Sequence, residues 1–451
     1  MTTRRHPNER LRALLREADW TQEALARAVN TLGAEIGCPL RYDRTAVAHW
    51  LSGTQPRPPA PQLAAEALSR RTGRPVSPQA AGFTAPAPEA PAPDPAVGFA
   101  DLCRDDAASD RRDALRQRPY RVADSVVSEF PATVPSQAGR GAGGPARPRP
   151  HTPAERAPAL RDAASFFAAS IDSHGGLHAR SALACYLADD VVPLLTSGTP
   201  ERNRAEVTTA ASRLAFLLAR MYEDGRLHGL AQRYYSFAHR LAAECGDRTS
   251  WCLAVRAMSA QAARLGHLPS ALHLAEAAGR AAAGVPPAQQ AYVQAQLAVV
   301  LARGGDRRGA FGALGAAERA AGRAGRGDSP FDIYPTAALA YQTSATLVAL
   351  DDVPGALAAL RRSLAERSAA DVRGRALTQA RYGRLLLRAG HLEEACVAWR
   401  AFLAGRERLR SGDAEQAVRE MRSALRPFRN RKGAAELLAR SAPAGERRAI
   451  A

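Results

Sequence analysis

The chain has 451 residues, 46% of them hydrophobic, and a formal net charge of +18 at pH 7. At roughly 150 residues per domain this is enough for two or three domains with cores of their own. No apolar run approaches the ~18 residues of a membrane span, which excludes a span, no membrane partner is expected, and every cation but Lys432 is an arginine. The basicity therefore partly reflects an Arg- and Ala-rich composition, and charge alone does not establish a polyanionic partner.

In chain order, NERLRALLREAD places Leu11, Leu14 and Leu15 on one face of a first helix. Thr21 caps a second, TQEALARAV, with Glu23 in its first turn and Leu25 and Val29 inward. A third begins at the cap Asp43, runs through RTAVAHWL and stops at Gly53. After an extended connector, TQPRPPAPQ, the segment LAAEALSRR supplies a closing helix that buries Leu63, Ala67 and Leu68. Residues 8–82 are thus a small helical domain.

Residues 84–96 (TAPAPEAPAPDPA) then alternate Pro and Ala, the pattern of an extended polyproline-type spacer. A mostly disordered linker is expected over 83–157, with short helices confined to 101–130 around RRDALR and a Gly/Pro/Arg tract, PSQAGRGAGGPARPRPHTP, behind them. From 158 to 428 the chain reads as helices separated by short Gly/Asp turns, without the Val/Ile/Thr alternation of strands. Residues 429–451 read as a basic tail. The predicted fold class is all-α.

The C-terminal half repeats itself. Turn residues Gly225, Gly266, Gly305, Asp351, Gly390 and Gly412 are spaced 39–46 residues apart, except for the last interval of 22. Five of them have an alanine five residues on, at Ala271, Ala310, Ala356, Ala395 and Ala417, while Gly225 reaches Ala231 one residue late. A further small residue follows near turn plus twelve at Ala278, Ala317, Ser363 and Ala424, with Ala238 keeping the offset. Paired helices joined by a tight turn approach closely only where side chains are small, and Pro269 and Pro354 fit the first turn of a second helix. The unit ARYGRLLLRAGHLEEACVAW, residues 380–399, resembles a tetratricopeptide repeat in the spacing of Gly383, Leu386 and Trp399 around its turn. The resemblance implies an α-solenoid, with longer helices or loops than the usual repeat and a capping helix at the end.

DRTAVAHWLSGTQPRP resembles the recognition-helix segment of the phage-repressor-like helix-turn-helix family, with Val47 and Trp50 in the core slots. The resemblance implies that Arg44, Thr45 and His49 face the major groove and read base edges, Arg44 through guanine O6/N7. It further implies phosphate contacts from Thr21 and Gln22 at the start of the second helix and from the flanking Arg41 and Arg57. Singly, an Arg at a helix start or a lone His is ordinarily a solvated surface residue; the agreement of caps, core slots and basic-Pro tail carries the reading. About eleven extra residues within NTLGAEIGCPLRY separate helices two and three, where that family has a short turn.

Enzyme features are weak. His174 and His178 stand four apart, but Gly175-Gly176 between them disfavour the helix that a metal pair needs. Asp189 and Asp190 are adjacent and point about 100° apart on a helix. No P-loop, dinucleotide fingerprint, GxSxG or HExxH occurs. The cysteines, Cys38, Cys103, Cys185, Cys245, Cys252 and Cys396, lack any CxxC, the usage of a reducing cytoplasm, and no secretory core follows the N-terminus. No catalytic residue, cofactor or metal is expected.

LRDAASFFAASIDSHGGLHARSALACYLADDVVPLL followed by DGRLHGLAQRYYSFAHRLA is similar to streptomycete members of the actinomycete regulators that join a helix-turn-helix to tetratricopeptide repeats. Those members are linked to repression of sporulation and antibiotic production. The resemblance implies a cytoplasmic, nucleoid-associated transcriptional regulator that binds double-stranded DNA. Its array would dimerise or take a protein or peptide partner. The rival expectation is a cytoplasmic adaptor that scaffolds protein contacts without reading DNA.

Overall fold

The computed structural model describes residues 6–84, 94–131, 153–196 and 201–442. The chain is all-α, with no strand among the described residues. Four helices, α1 (Glu9–Glu17), α2 (Gln22–Glu35), α3 (Arg44–Leu51) and α4 (Ala60–Thr72), form the N-terminal domain, and α5 (Pro95–Ala107) and α6 (Ser109–Arg116) follow. Then come α7 (Pro153–His174), α8 (Arg180–Tyr186), α9 (Val192–Thr196), α10 (Glu201–Asp224), α11 (His228–Glu244), α12 (Arg248–Arg264) and α13 (Leu268–Ala281). The remaining helices are α14 (Pro287–Arg303), α15 (Arg307–Gly322), α16 (Thr336–Ala349), α17 (Val353–Glu366), α18 (Val372–Arg388), α19 (Leu392–Arg406), α20 (Gly412–Leu425) and α21 (Lys432–Arg440). None of the described helices is long and apolar enough to cross a membrane.

Packing divides the chain into two compact units. The first comprises Met1–Ala157, Ser181–Ala219 and Leu227–Ala281, and the second Pro158–Arg180, Arg220–Arg226 and Ala282–Ala451. Within the first, α12 lies between α11 and α13, and α5 and α6 pack on α11. Within the second, α14 pairs with α15, α16 with α17, α18 with α19 and α20 with α21, and neighbouring pairs touch through α14 and α16, α17 and α18, and α18 and α20. These are the stacked hairpins of a solenoid-like repeat region.

A left-handed residue ends the first helix of each of five hairpins: Arg226 (φ 63°), Gly266 (91°), Gly305 (84°), Asp351 (64°) and Gly390 (87°). Counting from these positions removes the one-residue offset in the sequence pattern, because the turn centre is Arg226 rather than Gly225. Ala231, Ala271, Ala310, Ala356 and Ala395 then all fall five residues on, and all five are fully buried. Seven residues further, Ala238, Ala278, Ala317 and Ser363 are buried too, so a small side chain recurs on the face through which the helices cross. Ser363 Oγ there donates to Ala337 O of α16 at 2.7 Å, and Ser212 Oγ donates to Ala238 O at 2.8 Å. At Gly383 the neighbouring helix comes so close that a Cβ would lie 2.8 Å from the Trp399 indole nitrogen, which donates to Ala380 O at 3.2 Å.

Gly412 departs from the series. It is the first residue of α20, behind the cap Ser411, and a Cβ there would lie 2.9 Å from Asp224 O. The array ends in the pair α20–α21 rather than in a single capping helix. The basic tail expected from 429 begins as structure, because Ala434 and Leu437 bury one face of α21 against its neighbours. The longest turn-to-turn interval is taken up by residues 323–335 between α15 and α16, where Gln289 donates to Phe331 O and Tyr334 packs on Tyr292.

The expected linker needs the larger correction. Residues 85–93 and 132–152, and with them most of both Pro-rich tracts, lie outside the described residues. Helix formation begins at Pro95, ahead of the expected 101, with Asp94 as its cap. Phe99, Leu102, Cys103 and Asp106 are buried, Phe99 meets Tyr234 and Phe237 edge-on or tilted, and Tyr234 Oη donates to Asp106 Oδ2 at 2.8 Å. The segment 94–131 packs within the first unit, with α5 and α6 against α11. The hydroxyl that satisfies this buried carboxylate comes from a helix 128 residues further along the chain, a partner that local composition does not disclose.

Candidate nucleic-acid interface

The N-terminal domain has an apolar core of its own. Leu11, Leu25, Val29, Val47, Trp50, Leu63, Leu68 and Phe83 belong to one buried cluster drawn only from residues 11–83. Asn8 joins its two ends, since Oδ1 caps α1 through Leu11 N at 2.9 Å while Nδ2 donates to Ala81 O at 2.9 Å. The caps fall where the residue types demand. Thr21 Oγ1 accepts from Ala24 N at 3.1 Å and Asp43 Oδ1 accepts from Ala46 N at 2.9 Å, so α2 and α3 start at fixed points. Gly53, with φ +100°, ends α3 against His6, where a Cβ would lie 2.2 Å from His6 O.

At about 100° per residue, Arg44, Ala48, Thr45 and His49 spread over about 140° of α3, while Val47, Trp50 and Leu51 occupy the opposite side. Burial follows this arithmetic: Arg44, Thr45, Ala48 and His49 are exposed, and Val47, Trp50 and Leu51 are buried. Trp50 is wedged between Tyr42 and Phe83, with ring centroids 5.0 and 6.0 Å away in edge-on contact. The helix is anchored on its apolar side and presents the polar one outward.

The extra residues between helices two and three resolve into two pieces. Part lengthens α2 to Glu35, and the rest turns at Gly37 (φ +71°) and runs back beside α2, close enough that a Cβ on Gly33 would lie 2.6 Å from Cys38 O. Asn30 fixes the return: Nδ2 donates to Tyr42 O at 2.7 Å and Oδ1 accepts from Tyr42 N at 2.8 Å. One side chain thus sets the backbone directly before the α3 cap. The insertion packs along α2 and leaves the polar side of α3 uncovered.

Arg41 and Arg57 are exposed on either side of α3, Thr21 is exposed and Gln22 half-buried at the start of α2. An open concavity of about 950 Å³ brings Thr21, Gln22 and Arg44 together with Arg12 and Arg16 of α1, with Asp19 and Glu23 also on its wall. Arg41, Arg57, Thr45 and His49 are not among its lining residues. Arg12, Arg16 and Ala48 join the expected residues on this surface. The signal for the two arginines was their four-residue spacing on the side of α1 opposite Leu11, Leu14 and Leu15, and for Ala48 the same angular count that selects His49.

Elsewhere, His174 closes α7 and Gly175 (φ +85°) turns the chain, leaving the rings of His174 and His178 4.5 Å apart in a tilted stack. Asp189 and Asp190 are exposed on a π-helical turn, Leu187–Val191. No group of three His, Cys, Asp or Glu side chains fit to hold a metal occurs among the described residues. Burial pushes the thiol of Cys252 up to about 12 and that of Cys103 well above its ordinary value, the reverse of what a nucleophilic cysteine requires.

The domain is a four-helix module in which a capped, solvent-facing helix follows a longer one. Residues 11–84, nearly the same stretch, match the family model of the SP15 N-terminal domain. No curated protein matches the chain.

Proposed function

We propose that the chain is a sequence-specific DNA-binding transcriptional regulator of the helix-turn-helix type, with α3 as its recognition helix and the repeat array as its regulatory part. The observation that carries this reading is the combination on α3 of an outward face bearing Arg44, Thr45 and His49 with a buried Val47–Trp50 anchor. The concavity beside that face sets three arginines, Arg12, Arg16 and Arg44, against two carboxylates, Asp19 and Glu23, and those arginines are the cations available to a phosphate backbone there. In this reading Arg44, Thr45 and His49 contact base edges, while Thr21, Gln22, Arg41 and Arg57 contact phosphates. The array takes a protein or peptide partner or joins two copies, and the sequence resemblance points to development or secondary metabolism as the regulated process.

Gel shifts on genomic fragments test the proposal. The wild-type chain should retard a subset of fragments, and Arg44→Ala combined with His49→Ala should abolish that selectivity. Binding unchanged by the pair of substitutions would remove the proposed readers. Pull-down with and without nuclease separates the adaptor reading, which requires partners that survive nuclease and no enriched DNA.

A further inference from the structure

Residues 118–131 leave α6 and cross α11 and α12 without regular structure apart from one 3-10 turn, Val122–Ser125. At Gly229 of α11 the two backbones touch, and a Cβ there would lie 2.0 Å from Arg118 O. One turn on, Gln232 grips the segment: Nε2 donates to Arg121 O at 2.7 Å and to Ser125 Oγ at 2.8 Å, and Oε1 accepts from Arg121 N at 3.0 Å. Phe130 meets Trp251 edge-on at 5.8 Å beneath the guanidinium of Arg248.

Between these fixings Tyr120 is buried, its hydroxyl 2.8 Å from Ser125 Oγ and its ring stacked on His267 at 5.4 Å. His267 stands in the α12–α13 turn, and its Nε2 lies 2.7 Å from Glu66 Oε1 of α4, with only 1% and 2% of the two side chains exposed. Glu66 Oε1 also accepts from Arg70 Nε at 2.9 Å, and Arg70 holds both oxygens of Glu35 at 3.1 Å. The contact that ties the N-terminal domain to the α12–α13 turn is therefore roofed by a side chain of the crossing segment.

We propose that residues 118–131 are a displaceable strap that latches the N-terminal domain to the α12–α13 turn, and that an extended peptide competing for the Gln232 grip opens the latch. Two of the three bonds of this amide go to the N–H and C=O of one residue, which any extended backbone supplies, and the third goes to the Ser125 hydroxyl, which a competing chain must match with a hydroxyl of its own or leave unmade. Selectivity then comes from an aromatic side chain over His267 and a second against Trp251. Because the strap competes from within the same molecule, at an effective concentration in the millimolar range for a short tether, the competitor must be abundant or tight. Losing Tyr120 admits water to the Glu66–His267 contact, and a polar pair opened to water holds its partners less firmly.

Hydrogen–deuterium exchange on the full-length chain tests this without DNA, so its outcome is separate from that of the DNA-binding proposal. Gln232→Ala and Tyr120→Ala should each accelerate exchange at 66–73 and at 264–268 together by about tenfold. Tyr120→Phe, which keeps the stacked ring, should stay near wild type, and residues 25–32 of α2 should remain slow throughout. A millimolar excess of a synthetic peptide with the sequence of residues 117–131 should produce the same paired rise in the wild-type chain. Unchanged exchange in both alanine variants overturns the latch, equal loosening of α2 shows a strap required for folding instead, and a peptide without effect overturns displacement.

Discussion

Asn30 is the residue on which the placement of α3 turns. Replacing it with alanine deletes both hydrogen bonds to Tyr42, at 2.7 and 2.8 Å. Each is worth about 0.5–1.5 kcal/mol net, and because Tyr42 is half-buried, water replaces them only in part, so the loss should be about 2 kcal/mol. Asn30→Asp should cost more than Asn30→Ala, since it keeps the acceptor for Tyr42 N but sets a carboxylate oxygen against Tyr42 O. Urea unfolding of the excised segment 6–84, whose core contains no outside residue and whose only tryptophans are Trp20 and Trp50, provides the assay. With an m-value of about 1 kcal/mol per molar for a domain this small, the alanine variant's midpoint should fall by about 2 M. A loss under about 0.5 kcal/mol, or an aspartate variant as stable as wild type, would refute the reasoning.

Gly383→Ala should destabilise the α18–α19 pair by about 1–3 kcal/mol, because its methyl group meets the Trp399 indole and forces one helix outward; a thermal melt followed by tryptophan fluorescence measures it. Burial holds the pKa of His239 down at about 4, so the unfolded chain binds the extra proton first as pH falls. Stability should therefore be full above about pH 6.5 and decline toward pH 4 by on the order of 3 kcal/mol, and His239→Gln should flatten that part of a pH–stability profile. Cys185 is exposed whereas Cys103 and Cys252 are buried with raised thiol pKa values, so iodoacetamide in native buffer should label Cys185 well before either. Peptide mapping of the alkylated protein reads the order directly.

What the sequence disclosed is what local chemistry decides. Thr21, Asp43 and Gly53 act through hydrogen bonds and backbone angles within a few residues, and Val47 and Trp50 through the helical period, so the four N-terminal helices and the outward face of α3 were legible. The alanine register of the repeats was legible too, except where the left-handed turn falls on Arg226, a residue type that seldom marks such a position, and after Gly412, which opens α20 and leaves Ala417 and Ala424 only half-buried. Non-local partners were not legible. Phe99, Asp106 and Tyr120 sit in a stretch whose composition resembles a linker, and they are ordered by α11 and the α12–α13 turn, more than a hundred residues away. The same holds for Glu66, which in sequence is one more charge on an Ala-rich helix and in the fold is the buried partner of His267. The pairing of Asn30 with Tyr42 was hidden because it lies across the insertion whose path had no pattern to announce it.

Selection of duplex from a randomised pool by the full-length chain tests the central claim most directly. Because a bidentate arginine–guanine contact is worth about 1–3 kcal/mol, wild type should enrich a defined motif, and Arg44→Ala should relax preference at one position of it. Arg41→Ala should instead weaken binding evenly across sequences and lower its salt dependence. A pool that stays random with the wild-type chain, or a motif recovered unaltered by the variant with both Arg44 and His49 replaced, would contradict the account.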